Sequence, residues 1–102
     1  MNHVELTACI AELNALRYTP AGIPAVNFVL EHESEILETG VARKVKLTVK
    51  AVAFGTLAEQ AIKLPLGKAF RFTGFLINAR TSKGVVFHIQ AFEIFEQVLN
   101  PI

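Results

Sequence analysis

An all-β fold, a five-stranded Greek-key barrel carrying one short helix, is what this 102-residue sequence predicts. Three observations predict it. Apolar and polar residues alternate over several separate stretches, the period of half-buried strands. Pro and Gly clusters punctuate those stretches at Thr19–Pro24, Thr39–Gly40 and Lys83–Gly84. A single segment, Leu57–Ile62, breaks the alternation and reads as a helix.

The first strand spans His3 to Leu13, with Val4, Leu6, Ala8 and Ile10 set against Glu5, Thr7 and Cys9. Pro20 can fix φ at the second position of a β-turn and Gly22 is tolerated at its end, so the chain reverses there. Ala25 to His32 is the second strand, with Val26, Phe28 and Leu30 pointing one way and Asn27 and Glu31 the other. Glu31, Glu33, Glu35 and Glu38 cluster around Thr39–Gly40 and read as an acidic loop. Arg43 to Phe54 is the clearest strand: Val45, Leu47, Val49, Ala51 and Ala53 form a core face, and Lys44, Lys46, Thr48 and Lys50 the opposite one. Thr56, with Glu59 three residues on, has the spacing of a capping box for the helix, which Pro65 and Gly67 end. Ala69 to Ala79 and Val85 to Gln97 form a last hairpin with a basic tip, and Gly74 inside its first strand marks a bulge or bend. Residues 1–97 thus form one domain, and 98–102 a short tail.

The order β-β-β-α-β-β is that of the OB-fold, whose second and third strands and flanking loops grip oligonucleotides and oligosaccharides. An SH3-like barrel would also accept five strands, but a helix between the third and fourth favours the OB order.

Composition narrows the function classes. The chain is 52% hydrophobic and 19% charged, apolar enough for its size to expect a covered surface, and self-association is the simplest cover. The first strand, with Val4, Leu6, Ala8 and Ile10, would otherwise leave an unpaired edge and is the expected homodimer contact. A formal charge of +1 means that any nucleic-acid binding must come from how cations are arranged, not from bulk charge. The single Cys9 excludes an internal disulfide, and no charged start leads into an apolar signal core, so a cytoplasmic setting is expected. No apolar run approaches the roughly 20 residues that span a bilayer, so no membrane partner is expected.

Lys44, Lys46 and Lys50 are the main chemical pattern. Same-face neighbours on a strand lie roughly 6 to 7 Å apart, close to the phosphate spacing of an extended single strand. Arg17 and Tyr18 at the first hairpin, and Arg80 and Lys83 at the last, would flank this row and complete a basic track. A row of exposed lysines that merely solubilises a strand is the competing reading. Aromatic stacking is thinly represented. The core can absorb Phe28, Phe70, Phe72, Phe75, Phe87, Phe92 and Phe95; Tyr18 is the best stacking candidate, and Phe54 shares the face of Lys50. His3, His32, His88 and Cys9 lack metal-site spacing, and neither a nucleophile motif nor a phosphate loop is present, so a binder without metal or cofactor is expected, not an enzyme.

The string T-P-A-G-I-P-A-V-N-F-V-L-E-H, Thr19 to His32, resembles the first hairpin of bacterial single-stranded-DNA-binding proteins. G-I-P followed by F-V-L-E-H resembles in particular the primosomal replication protein N family, the PriB family, with support from Gly74–Phe75 and Gly84 and coverage to Glu96. The resemblance implies an OB-fold homodimer that binds single-stranded DNA in replication restart, stimulates the PriA helicase and hands on to a DnaT-like primosome loader. It carries Arg17, Arg80 and Lys83 over as DNA contacts. Where enterobacterial members have a stacking tryptophan this chain has Lys46, where they have a phenylalanine it has Val41, and a third basic position is Glu33, so charge is expected to outweigh stacking. Two other readings stand beside this one. A general single-stranded-DNA-binding protein would carry a flexible linker and an acidic tail, whereas this sequence ends at Ile102. An OB-fold module that binds protein and not DNA would suit the near-neutral charge.

Overall fold

The computed structural model describes residues 1–81 and 83–95. Its strands are β1 (Val4–Leu13), β2 (Arg17–Tyr18), β3 (Pro24–Glu38), β4 (Val41–Phe54), β5 (Ala69–Asn78) and β6 (Val85–Ile94), with helix α1 (Thr56–Ala61) between β4 and β5. The five long strands close into a barrel in the order β1-β5-β6-β4-β3, and β3 returns to β1. All pairings are antiparallel except β4 with β6, where Ala51 meets Phe87 and Val52 meets His88. This is the OB-fold that the element order implies. The two-residue β2 is additional, and the boundary expected between 97 and 98 lies outside the described residues.

Alternation decides what is inside. Val26, Phe28 and Leu30 from β3, Ala51 and Ala53 from β4, Phe70 and Phe72 from β5, and Phe87 and Ile89 from β6 fill the barrel. Phe72 is fully buried, with the rings of Phe28, Phe70 and Phe92 each 6.2 Å away. Helix α1 closes one end by burying Ala58 and Ala61. Its N-cap is Gly55, not Thr56, and no side chain caps it. The backbone at Gly55 takes φ 71, which favours glycine, and Thr56 already lies in the first turn, so the expected capping box does not form.

The turn before β3 is as the sequence implies. Gly22 N–H donates to Thr19 O at 2.8 Å, closing a β-turn with Pro20 second, and Thr19 N–H donates to Ile23 O at 2.9 Å. The acidic loop is a correction. β3 runs on to Glu38 and pairs with β4 until Glu38 faces Val41. Thr39 (φ 50) and Gly40 (φ 80) make the two-residue turn with both central φ positive that matches strand twist. The glutamates therefore stand on a strand, since Glu31, Glu33 and Glu35 alternate with His32, Ser34 and Ile36. The arm from about Glu31 to Thr48 extends beyond the barrel, so Leu47 is 44% exposed and only the Ala51–Ala53 end of β4 is core.

The apolar side chains of the first strand face inward. Ala8 and Ile10 are buried in the barrel, and Val4 and Leu6 pack against the same core, so these four side chains do not form an outward contact surface. Strand β1 pairs with β5 from Val4 to Cys9 and with β3 from Cys9 to Leu13. Along Val4–Ala8 the edge of β1 facing away from β5 has no strand partner among the described residues, although the Thr7 carbonyl is held by the His32 ring of β3.

Candidate nucleic-acid interface

The outer face of β3 and β4 carries, pair by pair, Asn27 with Val52, Val29 with Lys50, Glu31 with Thr48, Glu33 with Lys46 and Glu35 with Lys44. Register therefore splits the lysine row. Lys44 and Lys46 each stand opposite a carboxylate, and Lys46 Nζ lies 3.9 Å from Glu33 Oε1. Such exposed pairs contribute little stability, but the facing carboxylates offset the positive charge at that end of the face. Lys50, opposite Val29, has no such partner.

Lys50 instead opens into a cleft of about 640 Å³ between the β2–β3 hairpin, the face of β4 and the β5–β6 turn. Arg17 enters from β2 and Arg80 from the β5–β6 turn, and no carboxylate is among the described lining residues. Asn27 sets the direction of Arg17: its Oδ1 accepts a hydrogen bond from Arg17 Nε at 3.0 Å. That leaves the terminal guanidinium nitrogens, a planar fork suited to phosphate oxygens, free to meet an anion.

Phe54 and His88 line the same cleft, and Phe75 backs His88. Phe54 on β4 lies 5.0 Å from the His88 ring on β6, and His88 stacks on Phe75 of β5 at 4.5 Å and 23°. The three rings form a row across neighbouring strands. Phe75 thus leaves the core where sequence reasoning had placed it, while Phe28, Phe70, Phe72 and Phe87 remain inside. The signal was available: Phe70 and Phe72 share a parity that Phe75 breaks. The register shifts beside Gly74, where Thr73 faces Ala91 and Gly74 faces Ile89, and Gly74 fits there because a Cβ would run into the His88 carbonyl. Burial pushes the His88 imidazole below its ordinary 6.5, so the ring is neutral near pH 7.

Of the seven candidate contacts, the structure brings Arg17, Lys50 and Arg80 together. Tyr18 is 66% exposed beside Arg17, Lys83 is exposed near the tip of the last hairpin, and Lys44 and Lys46 lie out on the paired arm. Asn27, Phe75 and His88 were not foreseen as parts of the site. A second groove, beside β1, holds Glu31, Glu33 and Lys46 and lacks the one-sign charge of the first. Among the described residues no three of His, Cys, Asp and Glu converge as metal ligands, and no helix is long and apolar enough to cross a membrane.

A cationic cleft with aromatic walls on this face of an OB barrel defines a class, the oligonucleotide-gripping OB domains, and comparison with known proteins narrows it. A family model described as another single-strand binding protein family matches residues 2–91. The replication restart protein PriB of Bordetella pertussis is 47% identical over 91 residues, covering 88% of this chain and 85% of that one. The protein of the same name from Nitrosomonas europaea is 33% identical over 90 residues, covering 87% and 83%. The structure of PriB from Ralstonia solanacearum superposes with a TM-score of 0.84 at 34% identity, covering 94% of this chain and 99% of that one. A deletion mutant of the single-stranded DNA binding protein of Thermus aquaticus shares the fold, with a TM-score of 0.74 at 21% identity, covering 94% of this chain and 51% of that one. This chain belongs to the PriB family of replication restart proteins, within the single-strand-binding OB-folds.

Proposed function

We propose that this protein binds single-stranded DNA in its carboxylate-free cleft and acts in replication restart as a non-catalytic accessory. Phosphates lie along Arg17, Lys50 and Arg80, and a base stacks against Phe54. The observation that carries this reading is the convergence of three cations with the rings of Phe54 and His88 in one cleft of an OB barrel. Charge gives affinity without reading sequence, and stacking is equally tolerant because every base has a π-face. The name shared by its relatives supports the replication-restart role. Bound as a homodimer, the protein stimulates the PriA helicase and prepares the fork for a DnaT-like primosome loader. Backbone pairing along the open Val4–Ala8 edge of β1 suits such a dimer, with the side chains of Val4, Leu6, Ala8 and Ile10 kept inside each barrel.

A helicase-stimulation assay tests this. Unwinding of a forked substrate by PriA should rise when the protein is added. Unchanged unwinding, with the oligonucleotide still bound, would remove the helicase role and leave only the DNA-binding one.

A further inference from the structure

His88 occupies a singular position in the cleft. It sits at the middle of the aromatic row, its ring held by Phe75 on one side and Phe54 on the other. Neither ring nitrogen hydrogen-bonds to any described residue, and neither is sealed from solvent without a partner. Strand β4 contributes Lys50 to the cleft, β2 contributes Arg17 and the β5–β6 turn contributes Arg80, while β5 brings the uncharged Phe75, Ile77 and Asn78. The carboxylate of Glu93, the acidic residue of β6 itself, is paired with Arg71 at 3.1 Å and does not line the cleft. In the free protein nothing negative favours an imidazolium at this place.

An incoming single strand changes that. Threading phosphates between Arg17, Lys50 and Arg80 puts negative charge along a wall that includes His88, and an opposite charge nearby favours the protonated ring. We propose, building on the DNA-binding reading above, that His88 is a nucleic-acid contact that takes up one proton from water as the strand enters, so that binding is proton-linked. The imidazole gains the proton at a ring nitrogen and becomes a fourth cation facing the phosphates. No covalent bond to the ligand forms.

The sign follows from linkage. Burial holds the free-state pKa below 6.5, and the bound phosphates hold the complex's pKa above the free-state one. Between those two values the complex carries more protons than the free protein, so affinity rises as pH falls through the window and levels off beneath it. Each unit separating the two values multiplies the affinity about tenfold across the window.

The test is an anisotropy titration with a labelled oligothymidylate, whose bases do not titrate in this range, from about pH 8 to about pH 5.5. The wild type should tighten severalfold, and His88→Phe, which keeps a ring between Phe54 and Phe75, should lose that slope. His3 and His32 remain in the variant, so their contribution subtracts. As a check independent of folding in the variant, the His88 ring proton resonances of the wild type should titrate at higher pH with the oligonucleotide than without it. Equal slopes in the two proteins, or a His88 titration unmoved by the oligonucleotide, would overturn the proposal while leaving DNA binding intact. Absence of binding at every pH would overturn the DNA-binding reading and this one with it.

Discussion

Arg17, Lys50 and Arg80 differ from Lys44 and Lys46 in the company they keep. The first three face a cleft without carboxylates among its described lining residues, whereas the other two stand opposite Glu35 and Glu33. Alternation in the sequence put Lys44, Lys46 and Lys50 on one face, which is where they are. What alternation cannot supply is the register of the neighbouring strand, and register decides which cation is compensated. Phe54 was placed on the cation face by the same parity, whereas His88 and Phe75 join it only through pairing between distant strands. Stacking at Phe54 is testable separately from charge. Phe54→Leu keeps an apolar side chain and removes the ring, and should weaken oligonucleotide binding by about 1 to 3 kcal/mol with the salt dependence unchanged. A variant that binds as the parent does would place the base elsewhere in the cleft.

The elements follow local pattern well where one face is buried and poorly where neither is. Strand β3 within the barrel was plain from Val26, Phe28 and Leu30, but beyond Leu30 both faces of the arm are largely exposed, and charge clustering masked a period of two that in fact continues to Glu38. His32 helps to anchor the base of that arm. Its Nδ1–H donates to Thr7 O at 2.6 Å, a carbonyl being unable to donate, and Nε2 lies 2.7 Å from Ser34 Oγ. Gly74 was legible as a bulge, and its necessity is steric: a Cβ there would run into the backbone carbonyl of His88. Gly74→Ala should therefore force β5 from β6 and lower stability by about 3 kcal/mol, read from the midpoint of denaturant unfolding. A loss below about 0.5 kcal/mol, the scale of an ordinary surface change, would show that the bulge can relax.

At the scale of the whole molecule the extents are 50 × 35 × 25 Å. Closure by β3 onto β1 leaves a small barrel whose core is built chiefly from four phenylalanines and short aliphatics. The Val4–Ala8 edge of β1 that faces away from β5 lacks a strand partner among the described residues, and, apart from the Thr7 carbonyl held by His32, its backbone groups are the template for pairing with a second copy. Static light scattering during gel filtration should report twice the mass of the 11.2 kDa chain at micromolar concentration. A monomer there would remove the strand-edge dimer.

The central claim is that three cations in one cleft hold the phosphates, and the salt dependence of oligothymidylate binding tests it most directly. Each single-strand phosphate contact contributes about −0.7 to the slope of log affinity against log salt, so three give a slope of about −2. Replacing Arg17, Lys50 and Arg80 together by Ala should abolish that slope and most of the affinity, whereas Lys44→Ala with Lys46→Ala should leave both nearly as they were. A triple variant that keeps the parent's affinity and slope, or a loss that appears instead on removing Lys44 and Lys46, would place the phosphates elsewhere.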